Sequence, residues 1–271
     1  MAKQNPMRAV QRKPVKKQVR TTTTRKKSSK KKKSSSSFLI ITLITSVVLG
    51  AVLFAYHAYQ EKKEERTISE FVLTIPEGFE SVGIDVSHHQ GEINWKKIFA
   101  QSPLDTLIDF VYCKATEGST HLDREWENNR AQLNELGVMN GAYHFLNPNT
   151  YSIPQAKHFL NHWKSREIDL PPVLDVETEA SSDKILIANM YDWLEYIEKH
   201  TGHRPIIYTS QSFYETKFQD EFENYSFWIA AYSKKPNCIH DKRIIHWQFT
   251  DQGLIPEIDH TIDVNVSKRK F

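Results

Sequence analysis

At 271 residues, with 39% hydrophobic and 25% charged positions, the chain is long enough for one sizeable domain with a full core. Two cysteines exclude a disulfide-stapled miniprotein, and the hydrophobic share excludes a wholly disordered chain. The net charge of +3 conceals an asymmetry, because residues 1–37 carry 14 Lys and Arg and no acid, leaving 22 basic against 33 acidic residues and a net charge of −11 for the remainder.

Residues 1–37 form a Lys-, Ser- and Thr-rich run without apolar periodicity. Such a run cannot bury enough surface to fold, so a disordered basic tail that touches anionic lipid headgroups is expected. Nucleic-acid binding is not expected, since no aromatic residue is interleaved with KKSSKKKK. The next 19 residues, FLIITLITSVVLGAVLFAY at 38–56, carry no charge. At roughly 1.5 Å per residue they nearly cross a hydrocarbon core of about 30 Å, which predicts one transmembrane helix over 38–58. A cleaved secretory signal is the competing reading, but it needs a shorter apolar region and a small-x-small site. Here Leu53 stands two places before Ala55 and Tyr56 two before Ala58. The basic flank before the helix and the mixed EKKEER after it place the N-terminus in the cytoplasm. Residues 59–80 then read as a juxtamembrane linker, and residues 81–271 as an outer domain of a single-pass protein of the inner or plasma membrane.

In that domain, eight β-rich runs alternate with amphipathic helical ones: VGIDVS, LIDFVYCKA, VMNGAYHF, PPVLDV, RPIIYTS, FWIAAY, RIIHWQF and TIDVNV. Eight runs of this kind predict an α/β fold, a β/α TIM-like barrel. Ser152 and Gln155 have capping-box spacing, and Ala156, Phe159, Leu160 and Trp163 follow at helical intervals. Leu186, Met190, Trp193, Leu194 and Ile197 make a second apolar stripe closed by Gly202. The connections after FWIAAY and RIIHWQF are too short for regular helices, so the barrel is predicted to be irregular in its last third. Cys113 and Cys238 lie too far apart to form a framework pattern, and two free thiols are expected.

In a barrel the C-terminal strand ends meet on one rim, where chemistry collects. The run ends supply Asp85, Glu117, His144, Asp175 with Glu177, Tyr208, Gln248 and Asp263. A carboxylate between Ile84 and Val86, or between Leu174 and Val176, is costly to bury without a purpose or a partner. Asp175 and Glu177, two apart on a strand, point to the same side with Cα atoms roughly 6.5 Å apart. Like charge and partial burial drive the pKa values of such a pair apart, which suits one carboxyl as acid and one as anion in glycoside hydrolysis. The spacing alone leaves the stereochemistry open. No G-x-S-x-G, Walker loop or G-x-G-x-x-G occurs, and the adjacent His88 and His89 lack the partners of a metal site, so neither metal nor cofactor is expected.

Taken in order, GIDVSHHQGEINW, DFVYCKATEG, GAYHFLNP, PPVLDVE, PIIYTS, FWIAAY, HWQFTDQG and IDVNV resemble the successive motifs of the glycoside hydrolase family 25 lysozymes, the Chalaropsis-type muramidases. The resemblance covers residues 82–266 and implies a modified β/α barrel that cleaves the β-1,4 bond between N-acetylmuramic acid and N-acetylglucosamine in peptidoglycan. It implies Glu177 as proton donor, Asp175 as its partner carboxylate, and Asp85 and Asp263 as further acidic residues of the same pocket. It also places Tyr143, Tyr208 and Gln248 along the substrate groove, where the strand-end reading adds Glu117 and His144. A non-catalytic peptidoglycan tether and a chitinase-like glycosidase are the alternatives. All the acidic positions are occupied, which a tether would not need, and LPPVLDVE lacks the extra acids of a chitinase run.

Overall fold

The computed structural model describes residues 35–73, 76–100, 107–164, 166, 169–232 and 234–271. The sequence expectation for most of the basic tail therefore lies outside the described residues. The chain divides into two compact units at Ala55 and Tyr56. Helix α1 (Ser35–Leu73) contains a 21-residue stretch, Ile40–Gln60, of mean hydropathy 2.0 and no buried positions. Its length and composition suffice to cross a membrane. The helix continues through the first part of the segment assigned as a linker.

The second unit is built around strands β1 (Ser81–Val86), β2 (Phe110–Glu117), β3 (His121–Leu122), β4 (Met139–Phe145), β5 (Val173–Val176), β6 (Ile206–Ser210), β7 (Ser226–Ala230), β8 (Ile244–Gly253) and β9 (Ile262–Ser267). Their order is β1-β9-β8-β7-β6-β5-β4-β2-β3, and a β1–β2 pairing closes eight of them into a barrel, with the two-residue β3 hanging on the edge of β2. Six pairings around the ring are parallel, but β9 runs antiparallel to both β8 and β1. The expected irregularity of the last third takes this form. A short 3-10 turn (Asn237–His240) links β7 to β8, and β8 passes directly into β9.

Period-two alternation sends the two faces of each strand into two cores. Ile84, Val86, Val111, Cys113, Leu174, Val176, Ile207 and Ile229 face the helices in the larger outer core. Phe110, Tyr112, Val173, Ile206, Tyr208, Trp228 and Ile245 fill the barrel itself. Two glycines make room for the largest of these. A Cβ on Gly83 would stand 2.3 Å from the Phe110 ring, and one on Gly141 would stand 2.4 Å from the Tyr112 ring. Bulky rings on β2 thus fit only because the neighbouring strands carry no side chain at those points.

The covering helices are α2 (Trp95–Phe99), α3 (Trp126–Leu136), α4 (Ser152–His162), α5 (Asp183–Thr201) and the one-turn α6 (Gln211–Phe213). Helix α5 matches its sequence pattern. Ser182 caps it by accepting from the Ile185 N–H, its five apolar stripe residues are buried, and Gly202 ends it in the left-handed region at φ 74°. Helix α4 departs from expectation, because no capping box forms. Tyr151 is the N-cap and offers no side-chain bond, while Ser152 is already helical and buried. Gln155 instead turns into the preceding loop, where Nε2 donates to Asn147 O at 2.8 Å and Oε1 accepts from Asn147 N at 2.9 Å. Its amide satisfies loop backbone in place of the helix terminus. Both cysteines are free, Cys113 buried and Cys238 partly so.

Candidate active site

The residues that alternate inward at the top of the barrel converge on one open pocket of about 180 Å³, lined by Asp85, Tyr143, Val173, Asp175, Glu177, Tyr208, Trp228, Tyr232, Gln248 and Asp263. On β5 the parity is plain, with Val173, Asp175 and Glu177 facing the pocket while Leu174 and Val176 pack outward. The β1–β9 register sets Asp85 directly opposite Asp263. Asp263 stands near the start of its strand, not the end, and reaches this rim only because β9 is antiparallel. The strand-end rule used on the sequence therefore placed it in the pocket for a reason the fold does not share.

A hydrogen-bonded network fixes the far wall. Asp85 Oδ2 accepts from Gln248 Nε2 at 2.9 Å and from Asn265 Nδ2 at 2.7 Å. Gln248 Oε1 in turn accepts from the Tyr208 hydroxyl at 2.8 Å and the Tyr232 hydroxyl at 2.7 Å. Asn265 Oδ1 accepts from the Trp228 indole N–H at 2.8 Å. Both side-chain amides are thus held in one orientation and present their donors to Asp85.

The four pocket carboxyls all titrate higher than usual, chiefly because they are buried. Burial raises Asp85 to about 6 against the lowering pull of the Asn265 and Gln248 hydrogen bonds. Asp263 is pushed up to about 8 by burial and by the charges of Asp85 and Asp251. Asp175 is raised by burial and then by Glu177, with Lys114 acting against them. Glu177 stands at the exposed rim and is raised by partial desolvation in the pocket, offset by the neighbouring Tyr208 hydroxyl and by Lys114. Like charges this close cannot all ionise together, so the set retains protons into the range where isolated carboxyls have none. Asp175 lines the pocket, and its buried Oδ1 has no hydrogen-bond partner among the described residues.

Two of the sequence candidates are not in this pocket. His144 follows Tyr143 on β4, so when the tyrosine points in, the histidine points out. It is fully buried between the barrel and the helices, bonded through Nδ1 to Thr116 Oγ1 at 2.7 Å and through Nε2 to Gln155 Oε1 at 3.2 Å, and stacked on Trp193 at 5.5 Å. Burial lowers its pKa to about 3 and it stays neutral. Its assignment to substrate binding is corrected to a packing role. Glu117 does not line the pocket either; it is half exposed and pairs with Lys114 Nζ at 2.7 Å. Among the described residues no group of three or more His, Cys, Asp or Glu could hold a metal ion. His88 Nδ1 is instead engaged with buried Asp123 at 2.6 Å.

The sequence reading missed Trp228, Tyr232, Asn265 and Lys114. Strand parity from Asp263 would have found Asn265, whereas the inward face of Lys114, two places from Tyr112, and of Trp228 and Tyr232, two places either side of Ala230, follows only once the barrel core is known.

The profile of glycosyl hydrolases family 25 matches residues 84–258. The uncharacterized protein YegX of Escherichia coli strain K12 is 33% identical over 202 residues, covering 74% of each chain. Lysozyme M1 of Streptomyces globisporus is 28% identical over 199 residues, 68% of this chain and 66% of that one. Among solved structures, a family 25 glycosyl hydrolase from Bacillus anthracis superposes with a TM-score of 0.66 at 27% identity, covering 72% of this chain and 92% of that one.

Proposed function

The chain belongs to glycosyl hydrolase family 25, and from that premise we propose that it is a muramidase of peptidoglycan in which Glu177 donates the proton and Asp175 is its partner. The observation that carries the reading is the convergence of Asp85, Asp175, Glu177 and Asp263 on one solvent-open pocket, with every carboxyl raised by burial. Glycoside hydrolysis needs a carboxyl that still holds a proton near neutrality beside one that does not.

Glu177 suits the donor role because the rim position lets it reach a glycosidic oxygen lying across the pocket mouth. In the first step the C1–O4 bond breaks as the Glu177 proton passes to the departing N-acetylglucosamine oxygen. The bond that forms at C1 comes from the substrate's own acetamido oxygen, whose N–H is held by Asp175. Asp175 lines the pocket with hydrogen-bonding capacity unused, which leaves its carboxyl free to accept from that amide N–H. In the second step the Glu177 carboxylate takes a proton from water, which adds to C1 and restores the acetamido group. Configuration at C1 is retained. Tyr143, Tyr208 and Gln248 hold the sugar, and Asp85 and Asp263 tune the charge of the pair.

The uncharged stretch Ile40–Gln60 after a basic flank supports a single-pass anchor with the N-terminus in the cytoplasm and the barrel outside the membrane. Anionic lipid contact by the basic residues before it is part of the same proposal.

The test is digestion of purified peptidoglycan by the full chain in detergent, with borohydride reduction and mass spectrometry of the products. Wild type is expected to yield reduced muramic acid ends, and Glu177→Gln to lower their yield about 10²- to 10⁴-fold. Saturable binding of wild type to sacculi without product would replace the reading with that of a tether.

A further inference from the structure

Lys114 is buried in a strand otherwise filled with aromatic and small residues, and nothing in the chemistry above uses it. Its side chain is only 9% exposed, and an isolated cation at such a site is costly unless it has a partner. The strand register shows where the charge goes. Lys114 lies level with Tyr143 on β4, while one step higher Glu117 is level with Phe145 and Phe145 with Asp175. The lysine stem climbs that one level, so Nζ sits 2.7 Å from Glu117 Oε2 and 4.9 Å from the centre of the Phe145 ring. Three adjacent strands thus bring an ammonium, an aromatic face and the Asp175 carboxyl to the same height. Glu117 is 43% exposed and its charge is partly screened by water, so it anchors the ammonium more than it cancels it.

We propose that Lys114 is a positioning residue for the reaction: held by Glu117 and Phe145, its ammonium is the fixed positive charge opposite Asp175 that decides which of the two pocket carboxyls carries the proton. Asp175 needs such a charge. Its Oδ1 has no donor among the described residues, and Glu177, Asp85 and Glu117 all act on it with the same negative sign. Asp263 and the hydroxyls of Tyr143 and Tyr208 complete its surroundings, and Lys114 is the cation acting against burial. Lys114 also holds Glu177 down, but less than burial raises it and less than the Tyr208 hydroxyl lowers it. His89 and His144 are lowered chiefly by burial, and Lys114 adds to this as a like charge.

This inference rests on the pocket being the hydrolytic site, so its experiment carries a readout that does not need turnover. Full-length chain labelled with ¹³C at the aspartate carboxyls is titrated by NMR as wild type, Lys114→Met, Lys114→Gln and Lys114→Arg, alongside kcat/KM against pH on peptidoglycan. In Lys114→Met the Asp175 titration and the acid limb of the rate profile are expected to move up by about one pH unit, an about tenfold loss of rate on the acid side. Lys114→Arg restores both, and Lys114→Gln, uncharged but still able to donate to Glu117, moves them up as Lys114→Met does. A folded Lys114→Met whose Asp175 titration coincides with wild type overturns the proposal. If Lys114→Met does not fold, Lys114→Gln decides, and an unmoved Asp175 titration overturns it there. Wild type without muramic acid ends refutes the hydrolytic reading alone, while the NMR titration still judges Lys114.

Discussion

His246 gives the sharpest test of the barrel interior. Its ring is fully buried among Phe110 at 5.3 Å, Trp228 at 5.9 Å and Phe271 at 6.0 Å, and neither ring nitrogen has a hydrogen-bond partner among the described residues. Burial, then the charge of Arg269, lowers its pKa from 6.5 to about 3. The unfolded chain binds a proton below pH 6.5 that the folded one refuses, so His246 leaves stability intact above pH 6.5 and removes it progressively as pH falls toward 3. At pH 5 the gap from 6.5 is worth about 2 kcal/mol, at roughly 1.36 kcal/mol per unit. Replacing His246 with Phe keeps a ring of similar shape and cannot titrate. Any packing change is the same at every pH and drops out of the comparison. Urea unfolding of wild type and variant is followed at pH 7.5 and pH 5 by tryptophan fluorescence, which reports on this unit because all six tryptophans lie in its strands, in the helices that cover them or beside those helices. Wild type should lose about 2 kcal/mol more than His246→Phe between the two pH values. His144 and the raised pocket carboxyls contribute equally to both proteins. Equal losses would refute the claim that this imidazole is held neutral.

Asn265→Ala removes one of the two donors that hold Asp85 down, so the Asp85 carboxyl should titrate above about 6 by ¹³C NMR; an unchanged titration would mean the network does not tune it. Gly83→Ala puts a methyl group into the Phe110 ring at the β1–β2 seam and should cost about 1–3 kcal/mol in urea unfolding. Wild-type stability there would show that the seam can relax. Reducing agent should leave the urea midpoint unmoved and a thiol count on the unfolded, unreduced chain should find both cysteines, since Cys113 and Cys238 are not bridged. Recovery of fewer thiols would contradict the structure.

Much of the fold is legible in the sequence because its signals are local. A strand's side chains alternate, so inward carboxylates between outward aliphatic residues mark Asp85 and Asp175, and the i, i+2 spacing puts Glu177 beside Asp175. Helix α5 follows from its stripe and its terminal glycine, and the apolar stretch Ile40–Gln60 from length and hydropathy alone. What depends on strand direction and on contacts distant in sequence is not local, and only the folded chain decided it. Asp263 meets Asp85 because β9 reverses, His144 turns away because Tyr143 takes the inward position, and Gln155 satisfies a loop and leaves its helix end uncapped. Asn265 and Tyr232 acquire their roles only when Asp85, Gln248 and Asn265, brought together from the two ends of the domain, come within hydrogen-bonding distance, and Lys114 only when β2, β4 and β5 lie side by side. Sequence spacing fixes which face a side chain shares with its neighbours, but closure of the barrel fixes what stands across from it.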